Sequence, residues 1–322
     1  MRILITGGCG YIGAAVTRAA VDRGHRVLNI DRRRKSAQTP ALASVNGRPG
    51  YARIEADIAD RVLMRALFNE FQPDRVIHLA AALKDDPDSL FDTDIAGAYS
   101  ILEACRRHVD KLDDAGRAAF RLVHARRAPA DAGDDTAPTH RDAVSATAAT
   151  LLDKFARAAG LPLITCTAHE VFGPWQTESG FLPGLVLALL SGRPFALEAA
   201  GCRVRDWLPV ADFASGILCA AEVGGAFEAY DFSTGAERRD LDIAESVAAI
   251  IDGRQPRGAG PWSELIDLSG IPDDAPPAPM FDSSPAEIEL GWRPAGFHAG
   301  LDRALNWLLQ SAPQPAQPLA AE

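Results

Sequence analysis

The chain has 322 residues, of which 47% are hydrophobic and 24% charged, and its formal net charge is −10. Such a length allows one large domain or two modest ones, each with a sizeable core. The acidic balance argues against a nucleic-acid or anionic-membrane binder, because no basic excess exists to neutralise phosphates. The five cysteines form no CxxC pair. We therefore expect no metal site and no disulfide framework, and a cytoplasmic location fits best.

Short apolar runs alternate with helical patterns through the first half of the chain. The apolar runs predict strands at residues 3–5, 26–30, 52–55, 75–79, 121–124 and 162–167. Helical periodicity predicts helices at residues 12–23, 61–71, 95–108 and 143–159. This alternation predicts an α/β fold of the Rossmann type, with a doubly wound parallel sheet.

Glycines and prolines divide the chain into shorter segments beyond Phe172. We expect an NAD-binding Rossmann domain over residues 1–172, to which strands and helices of the C-terminal half return. A smaller substrate-binding lobe is predicted over residues 173–310. The last residues, 311–322, have the Pro-, Ala- and Gln-rich composition of a disordered tail.

The glycines of residues 6–13 (TGGCGYIG) have the spacing of a dinucleotide-binding turn. Gly7, Gly10 and Gly13 lie between a predicted strand and a predicted helix, which is the context that such a turn requires. The N-terminus of the helix offers free N–H groups to a pyrophosphate. Asp31 ends the second predicted strand, where a carboxylate accepts hydrogen bonds from ribose hydroxyls and repels a 2′-phosphate. The sequence therefore favours NAD over NADP.

Six segments give the chain a family resemblance. They are residues 6–13 (TGGCGYIG), 56–58 (ADI), 78–81 (HLAA), 172–176 (FGPWQ), 204–212 (VRDWLPVAD) and 290–294 (LGWRP). Over residues 1–310 the chain resembles the extended short-chain dehydrogenase/reductases. Within these it is most similar to the nucleotide-sugar epimerase/dehydratase group, in particular the dTDP-glucose 4,6-dehydratases.

The resemblance implies which residues bind the cofactor. In the family, the aspartate and isoleucine that match Asp57 and Ile58 hold the adenine, and the segment that matches residues 78–81 runs along the cofactor. Together with the glycine turn, the expected cofactor-binding residues are Gly7, Gly10, Tyr11, Ile12, Gly13, Asp31, Asp57, Ile58, Leu79, Ala80 and Ala81.

The chain departs from the family at the residues that handle protons. The family uses a tyrosine and a lysine four positions later on one helix. The tyrosines here are at positions 11, 51, 99 and 230 and the lysines at positions 35, 84, 111 and 154, so no pair has that spacing. Counting back from Gly160 places Arg141 at the tyrosine position and Ser145 at the lysine position.

The fifth predicted strand and the sugar pocket also depart from the family. The dehydratases end that strand with Ser-Thr-Asp-Glu, whereas here His124 is followed by alanine and two arginines. Lys84 stands where the dehydratases carry polar sugar contacts. Arg205 is kept at a position that in relatives approaches the diphosphate, but the asparagines expected before residue 172 are missing. We therefore do not expect ordinary 4,6-dehydratase or 4-epimerase activity.

Four residues are candidates for the remaining chemistry. Arg126 and Arg141 would form an anion or oxyanion site if both face the former catalytic cleft; otherwise they are solvated arginines. His124 is a candidate general base, although strand-end histidines are more often structural. Glu170 is the best acid/base candidate, the alternative being an ordinary surface carboxylate.

Three functions remain open. The first is a redox-neutral lyase, isomerase or cyclase for a small metabolite, in bacterial secondary metabolism, with NAD kept as a structural or electrostatic element. The second is a non-catalytic, NAD-bound protein or partner subunit. The third is an oxidoreductase, epimerase or dehydratase with a replacement base such as His124. The resemblance implies a homodimer that pairs through the helices predicted at 95–108 and 143–159. We expect a small-molecule substrate and neither nucleic acid nor membrane as a partner.

Overall fold

The computed structural model describes residues 1–32, 40–82, 86–128, 139–176, 180–197, 203–235, 237–269 and 282–311. The chain forms two compact units. The first contains residues 1–168, 211–232 and 282–294, and the second contains residues 169–210, 233–281 and 295–322. The predicted disordered tail, apart from Ser311, lies outside the described residues.

Twelve strands occur within the described part of the chain. They are β1 (Arg2–Thr6), β2 (Arg26–Asp31), β3 (Tyr51–Glu55), β4 (Arg75–His78), β5 (Arg121–Arg127), β6 (Leu163–Ala168), β7 (Glu170–Phe172), β8 (Phe195–Ala196), β9 (Val204–Pro209), β10 (Ala229–Phe232), β11 (Glu237–Arg239) and β12 (Ile266–Asp267).

The described residues also form eleven α-helices. They are α1 (Tyr11–Asp22), α2 (Arg61–Phe71), α3 (Pro87–Leu90), α4 (Ala98–Val109), α5 (Asp114–Ala119), α6 (His140–Ala159), α7 (Phe181–Leu190), α8 (Val210–Val223), α9 (Asp240–Arg254), α10 (Ser284–Glu289) and α11 (Phe297–Ser311). Two 3₁₀ helices, Pro40–Leu42 and Trp262–Leu265, and a π-helix, Phe91–Gly97, complete the set in that part of the chain.

The first unit is built on one seven-stranded sheet with the order β3-β2-β1-β4-β5-β6-β10. Every pair of neighbouring strands is parallel. Parallel strands require crossover connections, and here α1, α2, α4 and α6 supply them. The prediction of an α/β fold with a doubly wound parallel sheet is therefore confirmed. Among the described residues, no helix is both long and apolar enough to span a membrane.

Local sequence explains where the main helices begin and end. The Asp60 side chain caps α2 by accepting hydrogen bonds from the backbone N–H groups of Val62 and Leu63. The helix α6 ends at Gly160, which adopts the left-handed conformation that glycine favours. These caps agree with the helix boundaries read from the sequence.

Two elements differ from their predicted form. The helix predicted from residue 95 is preceded by the π-helix Phe91–Gly97, in which the wider turn leaves Thr93 and Asp94 buried. The fifth strand was predicted to end at His124, but β5 continues to Arg127 because residues 124–127 still pair with β6. Residues 125–127 are an alanine and two arginines, so the sequence showed no hydrophobic pattern that predicts this extension.

The second unit contains a three-stranded sheet with the order β11-β9-β7. In this sheet β7 runs parallel to the central strand β9, and β11 runs antiparallel to it. Apolar side chains of α7, α9 and α11 pack with Phe172 and Trp207 of the sheet. Both aromatic side chains are almost completely buried, so the sheet is anchored in the core of this unit.

Candidate functional site

The glycine turn between β1 and α1 is packed too closely for side chains. A Cβ atom on Gly7 would lie 2.6 Å from the backbone nitrogen of Ala80, and Gly7 has a φ of +74° that glycine favours. A Cβ atom on Gly13 would overlap the carbonyl oxygen of Gly7. The Gly10 N–H donates to the same carbonyl oxygen at 2.9 Å. Only glycine at these positions lets the backbone fold into a cradle of this size.

The start of α1 faces this cradle. Tyr11 and Ile12 are the first residues of the helix, and no side chain caps it. The first N–H groups of an α-helix have no intrahelical partner, and the helix dipole adds partial positive charge there. Asp31 ends β2 beside the turn, and its Oδ2 atom accepts a 2.8 Å hydrogen bond from the Cys9 N–H. The turn thus fixes the carboxylate that was predicted to recognise ribose.

The residues expected at the adenine end lie together in the first unit. Asp57 Oδ1 accepts a hydrogen bond from the Ala59 N–H at 2.9 Å, and Ile58 is buried. A Cβ atom on Gly97 would lie 2.6 Å from Ile58 Cδ1, so the π-helix packs directly on this isoleucine. The structure therefore places Ile58 against the π-helix and holds the neighbouring Asp57 carboxylate through its own turn.

Arg32, which was not among the predicted cofactor-binding residues, contacts both Asp57 and the π-helix. Its Nη1 atom lies 3.5 Å from Asp57 Oδ2, and its Nη2 atom donates to Thr93 Oγ1 at 2.8 Å. The side chain is therefore held by two segments that are distant in sequence. A guanidinium in this position joins the end of β2 to Asp57 and to the π-helix.

Two hydrogen bonds hold the segment after β4 to Thr6 at the end of β1. Leu79 donates its N–H to the Thr6 carbonyl at 3.0 Å, and Ala80 donates to Thr6 Oγ1 at 3.4 Å. Ala81, which follows, is exposed. Leu79 and Ala80, which approach Gly7, are therefore fixed, whereas Ala81 is open to solvent.

Arg141 contacts the end of the same segment. Its Nη1 atom donates to the carbonyl oxygen of Ala82 at 2.9 Å, and the Ala82 N–H donates to Asp94 Oδ1 at 2.7 Å. Burial raises the pKa of Asp94, although the backbone N–H of Ala82 and the charges of Arg141 and Arg32 oppose the rise. Arg141 thus acts in part as a structural contact. Lys84 lies outside the described residues.

His124 lies beside His78 on the sheet face that carries α6. The register pairs Thr6 with His78 and His78 with His124, so these side chains continue the rows of buried leucine and valine below them. The two rings are 5.6 Å apart, and Thr6 Oγ1 is hydrogen-bonded to His78 Nδ1 at 2.7 Å. Burial lowers the pKa of His124 to about 4 and that of His78 to about 3. His124 is therefore neutral at neutral pH and weakly basic.

Arg126 lies one step further along the same face of β5. Its register partner is Thr167, whose own partner on β10 is Asp231. Burial raises the pKa of Asp231, while the Thr167 hydroxyl and the Arg126 charge oppose the rise. Arg126 Nε and His124 Nδ1 are both buried, and neither has a hydrogen-bond partner within the described ranges.

Glu170 and Arg205 lie together in the second unit. Arg205 Nη1 donates to Glu170 Oε2 at 3.0 Å, and Arg205 Nη2 donates to Asp240 Oδ2. The Arg205 guanidinium also lies over the rings of Phe181 and Trp207, 5.6 Å from each centroid. Burial raises the pKa of Asp240 to about 6, and Arg205 limits the rise. One cation is therefore shared by two carboxyl groups.

Comparison with known proteins places this chain in a family. The family model described as the NAD dependent epimerase/dehydratase family matches residues 3–232, which is more than half of the chain. The chain belongs to that family. This NAD-dependent family confirms the cofactor predicted from the turn, and the glycine cradle, the uncapped start of α1 and the fixed carboxylate of Asp31 fit NAD.

Individual relatives agree along nearly the whole chain. A probable dTDP-glucose 4,6-dehydratase of Sinorhizobium fredii is 29% identical and is matched over 97% of this chain and 93% of its own length. A dTDP-glucose 4,6-dehydratase of Xanthomonas campestris is 30% identical over 95% of this chain and 92% of its own. The resemblance to the dehydratases read from the motifs is thereby confirmed.

Solved structures support the fold. The dTDP-glucose 4,6-dehydratase DesIV of Streptomyces venezuelae, crystallised with NAD and TYD bound, has a TM-score of 0.76 at 23% identity. That match covers 97% of this chain and 98% of the other. A UDP-glucose 4-epimerase of Thermotoga maritima, crystallised with UDP-glucose, has a TM-score of 0.77 at 21% identity, covering 97% and 99% of the two chains.

Sequence reasoning missed the residues that organise the predicted site. None of Arg32, Thr93, Asp94, Asp231 and Asp240 was singled out from the sequence. The charge of Arg32, directly after the carboxylate predicted to bind ribose, was an available signal. Its partner Thr93 could not be identified, because 61 residues separate them.

We expect Gly13→Ala to weaken NAD binding by at least about tenfold, because the new methyl group overlaps the Gly7 carbonyl and must displace the turn. Isothermal titration with NAD measures the effect. Gly253→Ala is the matched control, since a Cβ atom there meets nothing within 4 Å. Unchanged NAD affinity in Gly13→Ala would show that the turn is not the cofactor cradle.

We expect Arg32→Ala to weaken NAD and NADP binding alike, by about two- to fivefold, because a partly exposed ion pair that orders the adenine end is worth little more. Titration of both nucleotides measures this. Arg23→Ala removes a comparable surface ion pair with Glu222 and serves as the control. A loss confined to NADP would instead assign Arg32 to the 2′-phosphate.

The Asp240 carboxyl predicts a pH dependence of stability. Its pKa is raised in the folded state, so the folded protein takes up a proton that the unfolded chain does not, and stability rises as pH falls through about 6. His78 and His124, whose pKa values are lowered, act in the opposite direction. We therefore compare melting temperatures at about pH 7 and about pH 5, roughly one unit either side of that value.

Asp240→Asn isolates the contribution of this carboxyl, because both proteins contain the same histidines. Relative to the variant, the wild type should gain stability on acidification. Parallel pH profiles for the two proteins would contradict the raised pKa of Asp240.

Proposed function

We propose that the chain binds NAD in its first unit and acts as a redox-neutral lyase, isomerase or cyclase on a small anionic metabolite. The observation that carries this proposal is the pair of unpartnered buried atoms on β5, Arg126 Nε and His124 Nδ1. Buried polar atoms in native proteins nearly always have a partner. Two such atoms on neighbouring positions of one strand face are typical of a site that a polar ligand completes.

Arg126 supplies the charge of the proposed site. A guanidinium stays protonated in proteins and binds carboxylates or enolates through two parallel hydrogen bonds. Arg126 makes no hydrogen bond within the described part of the chain, so its donors are available. It would hold the substrate anion, or the oxyanion that develops during proton transfer or elimination.

His124 supplies a neutral polar contact. With a pKa of about 4 the imidazole carries one proton near neutral pH, so it can donate one hydrogen bond or accept one. We assign it to substrate orientation. The same low pKa disfavours the oxidoreductase with His124 as replacement base, since an efficient base has a pKa near the working pH.

Hydride removal from an alcohol requires a group that takes the hydroxyl proton. When bound, NAD supplies a hydride acceptor and a positive charge. The sequence contains no tyrosine–lysine pair to take that proton, and Arg141 donates to the Ala82 carbonyl. Glu170, the predicted acid/base, is held by Arg205. These contacts support a role for NAD without turnover.

Two carboxyl groups already bind Arg205, which lowers its capacity to hold a diphosphate. This argues against a nucleotide sugar as substrate, although relatives with NAD or nucleotides bound share the fold. We therefore propose a smaller anion. By analogy with diverged family members, we place the reaction in bacterial secondary metabolism.

A second candidate function is a non-catalytic, NAD-bound protein or partner subunit. The weak basicity of His124 and the ion pair of Glu170 favour it, because neither predicted proton carrier is well suited to transfer a proton.

As a further proposal we retain the homodimer through α4 and α6. The outward positions Ala143, Ala146 and Thr147 of α6 are small and exposed, which permits close helix approach.

We expect Arg126→Ala to lower product formation by about a hundredfold or more, as loss of an oxyanion contact does. The NAD-loaded protein is incubated with metabolite extracts, products are followed by mass spectrometry, and reduced nicotinamide is followed by absorbance. Arg127→Ala is the matched control, because Arg127 is exposed on the same strand. Stoichiometric reduced nicotinamide would refute the redox-neutral proposal, and equal product profiles with Arg126→Ala would favour the non-catalytic alternative.

A further inference from the structure

The first unit contains a cavity of about 450 Å³ at the amino ends of β1, β2 and β3. Arg2, Arg26 and Tyr51, the first residues of these three strands, line it. None of the residues assigned to NAD lines this cavity, since those residues follow the carboxyl ends of the strands. It is therefore a separate feature of the sheet.

One wall of the cavity is apolar. Leu28 and Ile54 of the sheet and Leu67 and Phe71 of α2 line it, and Leu28 and Leu67 are buried. These side chains belong to or pack on the core between the sheet and α2. An apolar wall behind an open mouth of this volume suits the body of a small organic molecule.

The mouth of the cavity carries two adjacent arginines. Arg2 and Arg26 are register partners on neighbouring strands, so their side chains leave the sheet on the same face. Arg2 is neutralised by Asp74, with Arg2 Nη2 3.0 Å from Asp74 Oδ1. Arg26 has no ion-pair or hydrogen-bond partner for its side chain among the described residues. Arg26 is therefore the arginine whose charge is available to a bound anion.

Glu70 of α2 also lines the cavity and limits what the arginines can accept. Its carboxylate repels a second negative charge on a ligand, so a monoanion fits better than a dianion. Tyr51 is the register partner of Val27, not of Leu28, so its side chain lies on the other face of the sheet, where its hydroxyl accepts a 3.1 Å hydrogen bond from Asn29 Nδ2.

We infer that this cavity is a second ligand site, for an organic monoanion with an apolar body. The oxyanion head lies at Arg26, and the body lies against Leu28, Leu67 and Phe71. This inference is independent of the proposed function, because it involves no residue of the NAD site or of β5.

The test is a fluorescence titration with 8-anilinonaphthalene-1-sulfonate, an aromatic monoanion, at saturating NAD so that the cofactor site is filled. We expect saturable binding to the wild type. Arg26→Gln should weaken it about tenfold, because a charge-assisted contact of this kind is lost. Glu70→Gln should strengthen binding, and decanoate should compete whereas inorganic phosphate should not.

Ala52→Trp provides a second, steric test. Ala52 is exposed, lines the cavity and is the register partner of Leu28, so an indole at this position fills the space without disturbing the core. The variant should keep its melting temperature and NAD affinity but lose the probe. Arg303→Gln, at an exposed arginine of α11, is the matched charge control.

Two results would overturn the inference. Equal probe affinity in the wild type, Arg26→Gln and Ala52→Trp would show that the dye binds elsewhere. Competition by phosphate alone would show that the arginines form a simple anion patch without an apolar subsite.

Discussion

The close approach of three backbone segments at Gly7 governs the geometry of the first unit. The end of β1, the start of α1 and the segment after β4 meet there, and a Cβ atom on Gly7 would lie 2.6 Å from the Ala80 nitrogen. Because no side chain separates them, the free N–H groups of α1 face a shallow cradle. The Cys9 N–H fixes Asp31 beside it. The cofactor site is thus a consequence of backbone packing more than of side-chain chemistry.

Charge pairing decides what the neighbouring residues can do. Arg205 is shared by Glu170 and Asp240, so neither the cation nor Glu170 is available in the way that its sequence position suggests. Arg141 donates to the Ala82 carbonyl. By contrast, Arg126 lies half-buried with an unpartnered Nε atom, within the ranges that the structure describes. Arg205 and Arg141 therefore make structural contacts, whereas Arg126 is available to a ligand.

The structure keeps the glycine turn expected to bind the cofactor but constrains the residues predicted to transfer protons. The glycine cradle is intact, whereas burial weakens His124 as a base and Arg205 holds Glu170 in an ion pair. A fold that binds NAD while its bases are constrained is suited to electrostatic roles for the cofactor. The cavity at the amino ends of β1, β2 and β3 adds a proposed site at the opposite end of the strands, so the two ends of the parallel sheet carry different chemistry.

The sequence alone determined the parallel α/β architecture, the glycine turn and the absence of a tyrosine–lysine pair. These are local properties: hydrophobic periodicity defines strands and helices, and a residue without a Cβ atom is recognisable by its identity. Only the tertiary structure decided the partners of the charged residues. Glu170 and Arg205 are 35 positions apart, and Arg32 and Thr93 are 61 positions apart. The strength of a base or the availability of a cation depends on burial and on neighbours at a few ångströms, which the order of residues along the chain does not specify.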